Sequence, residues 1–225
     1  MKIPLTKYGL PQVAVFPAII VAAMIVGCLL TRGLSPWITA AIELPLLLIL
    51  LWVLSFFRDP DRRIVADDND LLSPADGTVA DIQNVPNPFG EGQALQIGIF
   101  LSIFNVHINR VPCAARVEDV CYKKGRFVNA MNADAGRVNE SNDITMVRLK
   151  APHDRLLVRQ ISGAIARRIV CNARPGEEFA AGRQFGMIKF GSRTELLVPI
   201  RPEAKCLVSV GQKVKAGLTV LVRYK

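Results

Sequence analysis

A glycine–serine pair near the end of the chain, Gly191–Ser192, is the feature with the most evident chemistry. It interrupts two short apolar runs that are typical of strands, Met187–Phe190 and Leu196–Ile200. Glycine reaches backbone angles that other residues avoid, and it leaves its own carbonyl carbon open to attack. The serine hydroxyl can reach that carbonyl, so a strained bond here would rearrange from an amide to an ester. The alternative is an ordinary hairpin turn, because Gly-Ser is common in turns.

Two further residues supply groups that such a reaction needs. His107 follows an apolar run, and an imidazole with an ordinary pKa of about 6.5 exchanges protons near neutral pH. Asp76 lies in Pro-Ala-Asp-Gly-Thr, a segment that also suits a β-turn. Asp76, His107 and Ser192 therefore supply the three residue types of an acid–base–nucleophile triad. The alternatives are a structural histidine and a turn aspartate.

The charge and cysteine content limit the classes of partner. The 225-residue chain has a net charge of +9, of which residues 1–57 carry only +2. A basic globular part beside apolar segments suggests attraction to anionic lipid headgroups. Nucleic acid is not expected as a partner, because the chain has no Lys/Arg tract and no aromatic RNA-binding signature. The five cysteines are scattered without a C-x-x-C pair, so we expect no metal site and a reducing compartment.

The apolar residues are concentrated at the N-terminus. Val13–Leu30 and Ile38–Phe57 each approach the roughly 20 residues that a helix needs to cross a bilayer. We therefore predict a membrane-anchoring helical hairpin over residues 1–57 and a separate domain over 58–225. Basic residues flank both ends of the hairpin, which places both ends in the cytoplasm by the positive-inside rule. Glu43 and two prolines leave open a hairpin that enters only one leaflet.

From Leu71 onward, short β-branched runs separated by Gly, Pro and Asn predict a β-rich domain. A short helix is predicted over Ala164–Val170, and a surface loop over Asn129–Asp143. The predicted strands are Gly77–Val85, Leu95–Ile103, Ala115–Cys121, Thr145–Leu149, Leu156–Ile161, Gly186–Phe190, Leu196–Ile200 and Leu218–Tyr224.

Two segments at opposite ends of this domain resemble each other. Ser73–Ala80 and Val210–Val220 both look like the turn-and-strand segments of lipoyl-like barrel-sandwich domains. That fold pairs an early strand with a late one, so both ends of the domain are expected in one sheet system. The same segments support an alternative function, a membrane-anchored carrier or adaptor. In that alternative, Lys215 would lie in the turn that is modified in lipoyl-like domains.

An ordered set of motifs resembles the short, bacterial-type phosphatidylserine decarboxylases, which are pyruvoyl-dependent enzymes. The resemblance extends over nearly the whole chain and includes the apolar hairpin. Its motifs are Phe57–Pro60, Ser73–Gly77, Phe104–Pro112, Asn139–Asn142, Gln160–Ile169 and Phe190–Arg193.

The resemblance implies that the chain cuts itself between Gly191 and Ser192. The products would be an associated β-subunit (1–191) and α-subunit (192–225), with Ser192 converted into a covalent pyruvoyl group. That group would form a Schiff base with phosphatidylserine in the bilayer and release phosphatidylethanolamine. No other cofactor is implied. The enzyme would act at the inner membrane on the cytoplasmic side, and close relatives suggest a homodimer.

Individual roles follow from the resemblance only in outline. Ser192, His107 and Asp76 are the expected catalytic residues. Whether His107 serves self-cleavage or decarboxylation stays open, with decarboxylation favoured. Candidate contacts to the substrate phosphate are Arg110, Arg167 and Arg168. A further alternative is a membrane serine hydrolase that uses Ser192 with His107.

Overall fold

The computed structural model describes residues 5–129, 135–164, 168–189 and 191–225, and these divide into two compact units, 1–61 and 62–225. The first unit contains the hairpin helices α1 (Leu10–Leu30) and α2 (Pro36–Phe56). Both helices are long and apolar enough to cross a membrane. Their bounds confirm the two predicted apolar helices.

The base of the hairpin is closed by a small apolar cluster. The Thr6 amide donates to the Phe57 carbonyl oxygen at 2.9 Å. Tyr8, Val53, Phe56 and Phe57 are buried at this end, whereas most of the apolar side chains along the helices are exposed. Such an exposed apolar surface suits contact with lipid.

The described residues of the second unit form fourteen strands and one short helix, α3 (Ala135–Val138). The strands are β1 (Asp70–Leu72), β2 (Gly77–Pro86), β3 (Gln93–Leu101), β4 (Ile108–Arg110), β5 (Ala115–Lys123), β6 (Ser141–Arg148), β7 (Arg155–Ile161), β8 (Arg168–Cys171), β9 (Glu178–Phe179), β10 (Gln184–Lys189), β11 (Ser192–Pro199), β12 (Ala204–Cys206), β13 (Lys213–Val214) and β14 (Val220–Tyr224).

The strands form one large antiparallel sheet and two small ones. The eight-stranded sheet has the order β13-β2-β3-β11-β7-β6-β5-β9, and the small sheets have the orders β1-β14-β12 and β4-β10-β8. The core joins apolar side chains from the large sheet with others from the small sheets, among them Val79, Ile99, Val158, Leu196, Phe185 and Val222. Open sheets packed in this way confirm the predicted β-rich, sandwich-like domain that follows a helical hairpin.

The two ends of the domain pair with each other, as the echo between the two segments predicts. β1 pairs with β14, matching Asp70 with Arg223, and β13 pairs with β2, matching Val214 with Gly77. The C-terminal segment is therefore held in the same sheets as the first strands of the domain.

Three sequence-based assignments are wrong. The predicted helix Ala164–Val170 contains the start of β8, and its residues 165–167 lie outside the described part; pairing of β8 with β10 overrides the local helix propensity. The loop predicted over Asn129–Asp143 contains α3 and the start of β6, and its residues 130–134 are also outside. β11 begins at Ser192, not Leu196, because its backbone pairs with β3 from Ser192 onward and the polar side chains of Arg193 and Thr194 are buried and hydrogen-bonded.

Candidate active site

The Gly191–Ser192 pair lies where the chain passes from one sheet to another. β10 ends in the small sheet with β4 and β8, and β11 begins at Ser192 in the middle of the large sheet. β10 and β11 are thus in different sheets. They do not form the ordinary hairpin turn that was the alternative interpretation of the Gly-Ser pair. The dipeptide therefore lies between a strand of the small sheet, which ends at Lys189, and a strand of the large sheet, which begins at Ser192.

Gly191 has a left-handed backbone conformation, with φ of +66°. A side chain there would have room, because an added Cβ would lie 3.8 Å from the nearest side-chain atom, which belongs to Ile103. The requirement for glycine is therefore conformational and does not come from crowding. Gly191, which supplies the carbonyl group at the proposed cleavage point, therefore has a backbone conformation that favours glycine.

Ser192 is completely buried, and its Oγ has no hydrogen-bond partner among the described residues. Its backbone lies opposite Leu101 of β3. Leaving a buried hydroxyl unpaired costs roughly 1–3 kcal/mol, so most buried hydroxyls find a partner. An unpaired hydroxyl next to a left-handed glycine is available to attack the neighbouring carbonyl.

His107 is also fully buried, and its ring contacts the same dipeptide. Nδ1 is 2.9 Å from the Asn105 carbonyl oxygen, and the Gly191 amide donates to Nε2 at 3.3 Å. A carbonyl oxygen can only accept and an amide can only donate, so the proton is on Nδ1 and the lone pair is on Nε2. The basic nitrogen of His107 therefore faces the residue next to Ser192.

Asp76 occupies a different position. Its carboxylate forms a bidentate ion pair with Arg62 at 2.6 and 2.8 Å and accepts from the Ala216 amide at 2.7 Å. These bonds join the early turn to the C-terminal turn. The ring of His107 is oriented by the Asn105 carbonyl, whereas the carboxylate of Asp76 is bound by Arg62 and the Ala216 amide. A catalytic role for Asp76 stays a prediction.

A chain of buried amides, which the sequence did not reveal, lies along the strand that begins with Ser192. Asn142 of β6 donates to Gln160 of β7 at 3.1 Å, Gln160 donates to Asn109 of β4 at 2.9 Å, and Asn109 donates to Thr194 of β11 at 3.0 Å. These bonds tie the large sheet to the small sheet that carries β4. The sequence does not mark these amides, because an amide within a predicted strand is equally consistent with a side chain exposed to water.

On the other face of the large sheet, six charged side chains of alternating sign form a row, and five strands contribute them. This charge ladder consists of Asp81, Arg193, Glu195, Arg159, Asp143 and Lys123, in that order. Its successive contacts are 2.5, 2.8, 3.6, 2.6 and 2.7 Å. The guanidinium of Arg193 lies over Gly98, where a Cβ would collide with it.

Two members of the ladder have shifted pKa values. Burial raises the pKa of Asp143, but its hydrogen bonds to Arg159 and Lys123 outweigh burial and lower it below the ordinary value. Burial lowers the pKa of Arg193, and its bonds to Asp81 and Glu195 more than restore it, so the net shift is upward. Both side chains are therefore firmly charged in the folded protein.

The three candidate phosphate-binding arginines differ in setting. Arg110 is buried and donates to the Gly182 carbonyl oxygen at 3.0 Å. Arg168 is exposed on β8, directly opposite Lys189 of β10. Burial and the charge of Arg168 lower the pKa of Lys189. Arg167 lies outside the described residues. Of the described candidates, only Arg168 is on the surface.

Comparison with known proteins gives a consistent result. Residues 49–222 match the family model described as phosphatidylserine decarboxylase. A phosphatidylserine decarboxylase proenzyme from Rhodopirellula baltica is 38% identical over 225 residues, covering 100% of this chain and 90% of the relative. The proenzyme from Carboxydothermus hydrogenoformans is 45% identical over 179 residues, covering 79% and 82% of the two chains. The proenzyme from Nitrosomonas eutropha is 40% identical over 205 residues, covering 91% and 92%.

Proposed function

This chain belongs to the phosphatidylserine decarboxylase family, and we propose on that premise that it decarboxylates phosphatidylserine to phosphatidylethanolamine. The reactive group is a pyruvoyl formed from Ser192 when the chain cuts itself after Gly191. The observation that carries the proposal is the contact of His107 Nε2 with the Gly191 amide at 3.3 Å, beside a buried and unpaired Ser192 hydroxyl. The residues present fit the formation of this group in place.

The first step is an amide-to-ester rearrangement. Ser192 Oγ adds to the Gly191 carbonyl carbon, and its proton passes to Nε2 of His107, which exchanges its bond with the Gly191 amide for one with the hydroxyl. The C–N bond then breaks, and the Ser192 nitrogen takes the proton. The tautomer fixed by Asn105 suits this role, so we assign His107 to self-cleavage and not to the decarboxylation role that the resemblance favours.

The ester is then released by elimination. Loss of the Cα proton of residue 192 breaks the bond between its Cβ and the ester oxygen, which leaves dehydroalanine on 192–225 and a carboxylate on Gly191. Addition of water and loss of ammonia convert the dehydroalanine into the pyruvoyl group. When present, that group supplies a carbonyl electron sink for the electrons released with carbon dioxide. Burial of residue 192 limits the access of water to it.

The substrate's headgroup requires a cationic contact near the site. Arg168 is exposed, its strand pairs with the strand that leads into Gly191, and Lys189 lies opposite it, so we propose Arg168 as the phosphate contact. Arg110 is already hydrogen-bonded to a backbone carbonyl and is a weaker candidate. Arg168→Gln is expected to raise KM for phosphatidylserine more than it lowers kcat.

The acyl chains of the substrate stay in the bilayer, so the enzyme must work at the membrane surface. We propose that α1 and α2 anchor it in the inner membrane with the catalytic unit on the cytoplasmic side. The two apolar helices and the basic residues that flank them support this placement.

The test compares wild type, Ser192→Ala and Ser209→Ala as full-length chains in detergent–phosphatidylserine micelles. Ser209 is an exposed loop serine and serves as the matched control. Wild type and Ser209→Ala are expected to form phosphatidylethanolamine, and Ser192→Ala is expected to remain one chain without activity. Phosphatidylethanolamine formation by Ser192→Ala would reject the proposal. Labelling of intact wild type by a fluorophosphonate would instead favour a serine hydrolase, and an uncut, inactive wild type would favour a carrier with Lys215.

A further inference from the structure

A second buried serine lies beside the proposed cleavage point. β11 and β7 are antiparallel neighbours in which Arg193 is opposite Ile161 and Thr194 is opposite Gln160. Ser162 directly follows Ile161 and Ser192 directly precedes Arg193, so the two serines lie at the same end of this strand pair, one residue beyond its last matched pair. Side chains alternate between the two faces of a strand, so both serine side chains are expected on the side that carries the amide chain.

The backbone of Ser162 is held firmly in this position. Its amide donates to the Glu140 carbonyl oxygen at 2.9 Å, and its carbonyl oxygen accepts from Asn139 Nδ2 at 2.8 Å. Asn139 is itself fixed by two hydrogen bonds to the backbone of Val128. The side chain of Ser162 is therefore presented by a rigid segment.

The hydroxyl of Ser162 has no assigned use in the described structure. Ser162 is fully buried, and its Oγ has no hydrogen-bond partner among the described residues, as is also true of Ser192. The fold thus places two unpaired hydroxyls at the same end of a strand pair, although each such group carries a free-energy cost. Unpaired hydroxyls of this kind are available to donate a hydrogen bond to a polar group that forms only during a reaction.

The nearby amides have no hydrogen left to donate to such a group. Asn109 Nδ2 donates to Thr194 Oγ1 and to the Pro74 carbonyl oxygen. Gln160 Nε2 donates to Asn109 Oδ1 and to the Val170 carbonyl oxygen. The hydroxyl of Ser162, by contrast, has no hydrogen-bond partner among the described residues.

We propose that the Ser162 hydroxyl stabilises the oxyanion formed on the Gly191 carbonyl oxygen during self-cleavage. When Ser192 Oγ bonds to the carbonyl carbon, the π electrons move to the carbonyl oxygen, and Ser162 donates a hydrogen bond to it. Ser162 keeps its own proton throughout, and the electrons return when the C–N bond breaks. This inference rests on the proposed self-cleavage and adds a catalytic residue to it.

The inference predicts that removal of the Ser162 hydroxyl slows chain cleavage. Loss of one oxyanion donor typically slows a reaction by about 10²–10³-fold, so Ser162→Ala is expected to slow chain cleavage by that factor. Its pH–rate profile for cleavage should keep the wild-type midpoint, because the base is unchanged. Ser162→Thr, which keeps the hydroxyl, should restore most of the rate.

A matched control is available on the neighbouring strand. Ser141 of β6 is buried too, but it lies opposite Ile161, which places its side chain on the other face of the sheet. Ser141→Ala is expected to cleave at the wild-type rate. The assay follows the conversion of full-length chain into the two fragments by denaturing gel, starting from freshly synthesised protein, with melting temperatures measured in parallel.

The outcomes separate this inference from the proposed function. If wild type cleaves and Ser162→Ala cleaves within about threefold of it, the role of Ser162 is overturned while the function stands. If wild type does not cleave at all, the proposed function itself fails. If Ser162→Ala melts at a markedly lower temperature, Ser162→Cys replaces it, since a thiol fills similar space but donates weakly. Wild-type cleavage by Ser162→Cys would then overturn the inference.

Discussion

The charge ladder offers a quantitative test of how the fold holds residue 192. Arg193 follows Ser192 directly and would be the second residue of the fragment 192–225, whereas its partner Asp81 would belong to the other fragment. Arg193 binds Asp81 through two hydrogen bonds of 2.5 and 2.8 Å and Glu195 through one of 2.8 Å. Arg193→Gln removes the cation and leaves two carboxylates facing each other.

The expected cost follows from burial and from the contacts that remain. The side chains of Arg193 and Glu195 are both only 3% exposed, and breaking such a buried pair by removing one partner costs about 3–5 kcal/mol. Asp81 is 22% exposed, and Glu195 keeps Arg159 at 3.6 Å, so both carboxylates are partly compensated. We therefore expect the lower end of the range, about 3 kcal/mol, or roughly 10²-fold in the folding equilibrium.

The measurement is urea unfolding in nonionic micelles, in a Ser192→Ala background so that only one chain is present. Both tryptophans are in the helical hairpin, so tryptophan fluorescence would report on the hairpin and not on the catalytic unit. Unfolding of the catalytic unit is therefore followed by far-UV circular dichroism at strand wavelengths. The matched control is Arg155→Gln. Arg155 pairs with Glu118 at 2.8 Å but is 55% exposed, so its loss should cost less than about 1 kcal/mol.

Equal destabilisation by Arg193→Gln and Arg155→Gln would refute the reasoning about the ladder. A second readout uses the cleavable chain. Cleaved Arg193→Gln should lose the fragment 192–225 during gel filtration, whereas cleaved Arg155→Gln should retain it. Retention of the fragment by both variants would show that strand pairing alone holds residue 192.

Two further predictions concern single residues. His107→Ala should slow self-cleavage by roughly 10²–10⁴-fold because the base is lost. A time course of fragment formation measures this rate. Cleavage and substrate turnover at the wild-type rates would remove His107 from the mechanism. The pKa of Asp143 is lowered in the fold, so its stabilising contribution is present above about pH 4 and is lost as the pH falls through the lower folded pKa. Asp143→Asn should therefore be less stable at neutral pH and lose less stability on acidification, and acid-unfolding curves parallel to wild type would contradict this.

Much of the fold can be predicted from apolar patterning. The two hairpin helices are long uninterrupted apolar runs, and strands such as β2 and β7 have the β-branched residues and turn boundaries that favour strands. The errors occur where strands contain polar residues. β11 starts with Ser-Arg-Thr-Glu and β6 with Ser-Asn-Asp, sequences that are typical of loops. Several of their polar groups are paired with residues distant in sequence, such as Asp81 and Arg159, which no local pattern reveals.

The candidate site could be predicted only in part. Gly191, Ser192 and His107 were identified from residue type and from the family resemblance, and the structure brings His107 and Gly191 into contact. The position of Asp76 depends on Arg62 and on the C-terminal turn, so local sequence could not place it. Nothing in the sequence singles out Ser162 within the motif Gln160–Ile169, because its significance comes from the neighbouring strand and from an unpaired hydroxyl.

The most direct test of the account is the intact mass of the wild-type protein purified from membranes. We predict two chains, 1–191 and 192–225, with the smaller one lighter than a serine-initiated peptide by the mass of one ammonia and resistant to Edman degradation. A single chain of the full 225-residue mass that still converts phosphatidylserine to phosphatidylethanolamine would contradict the account.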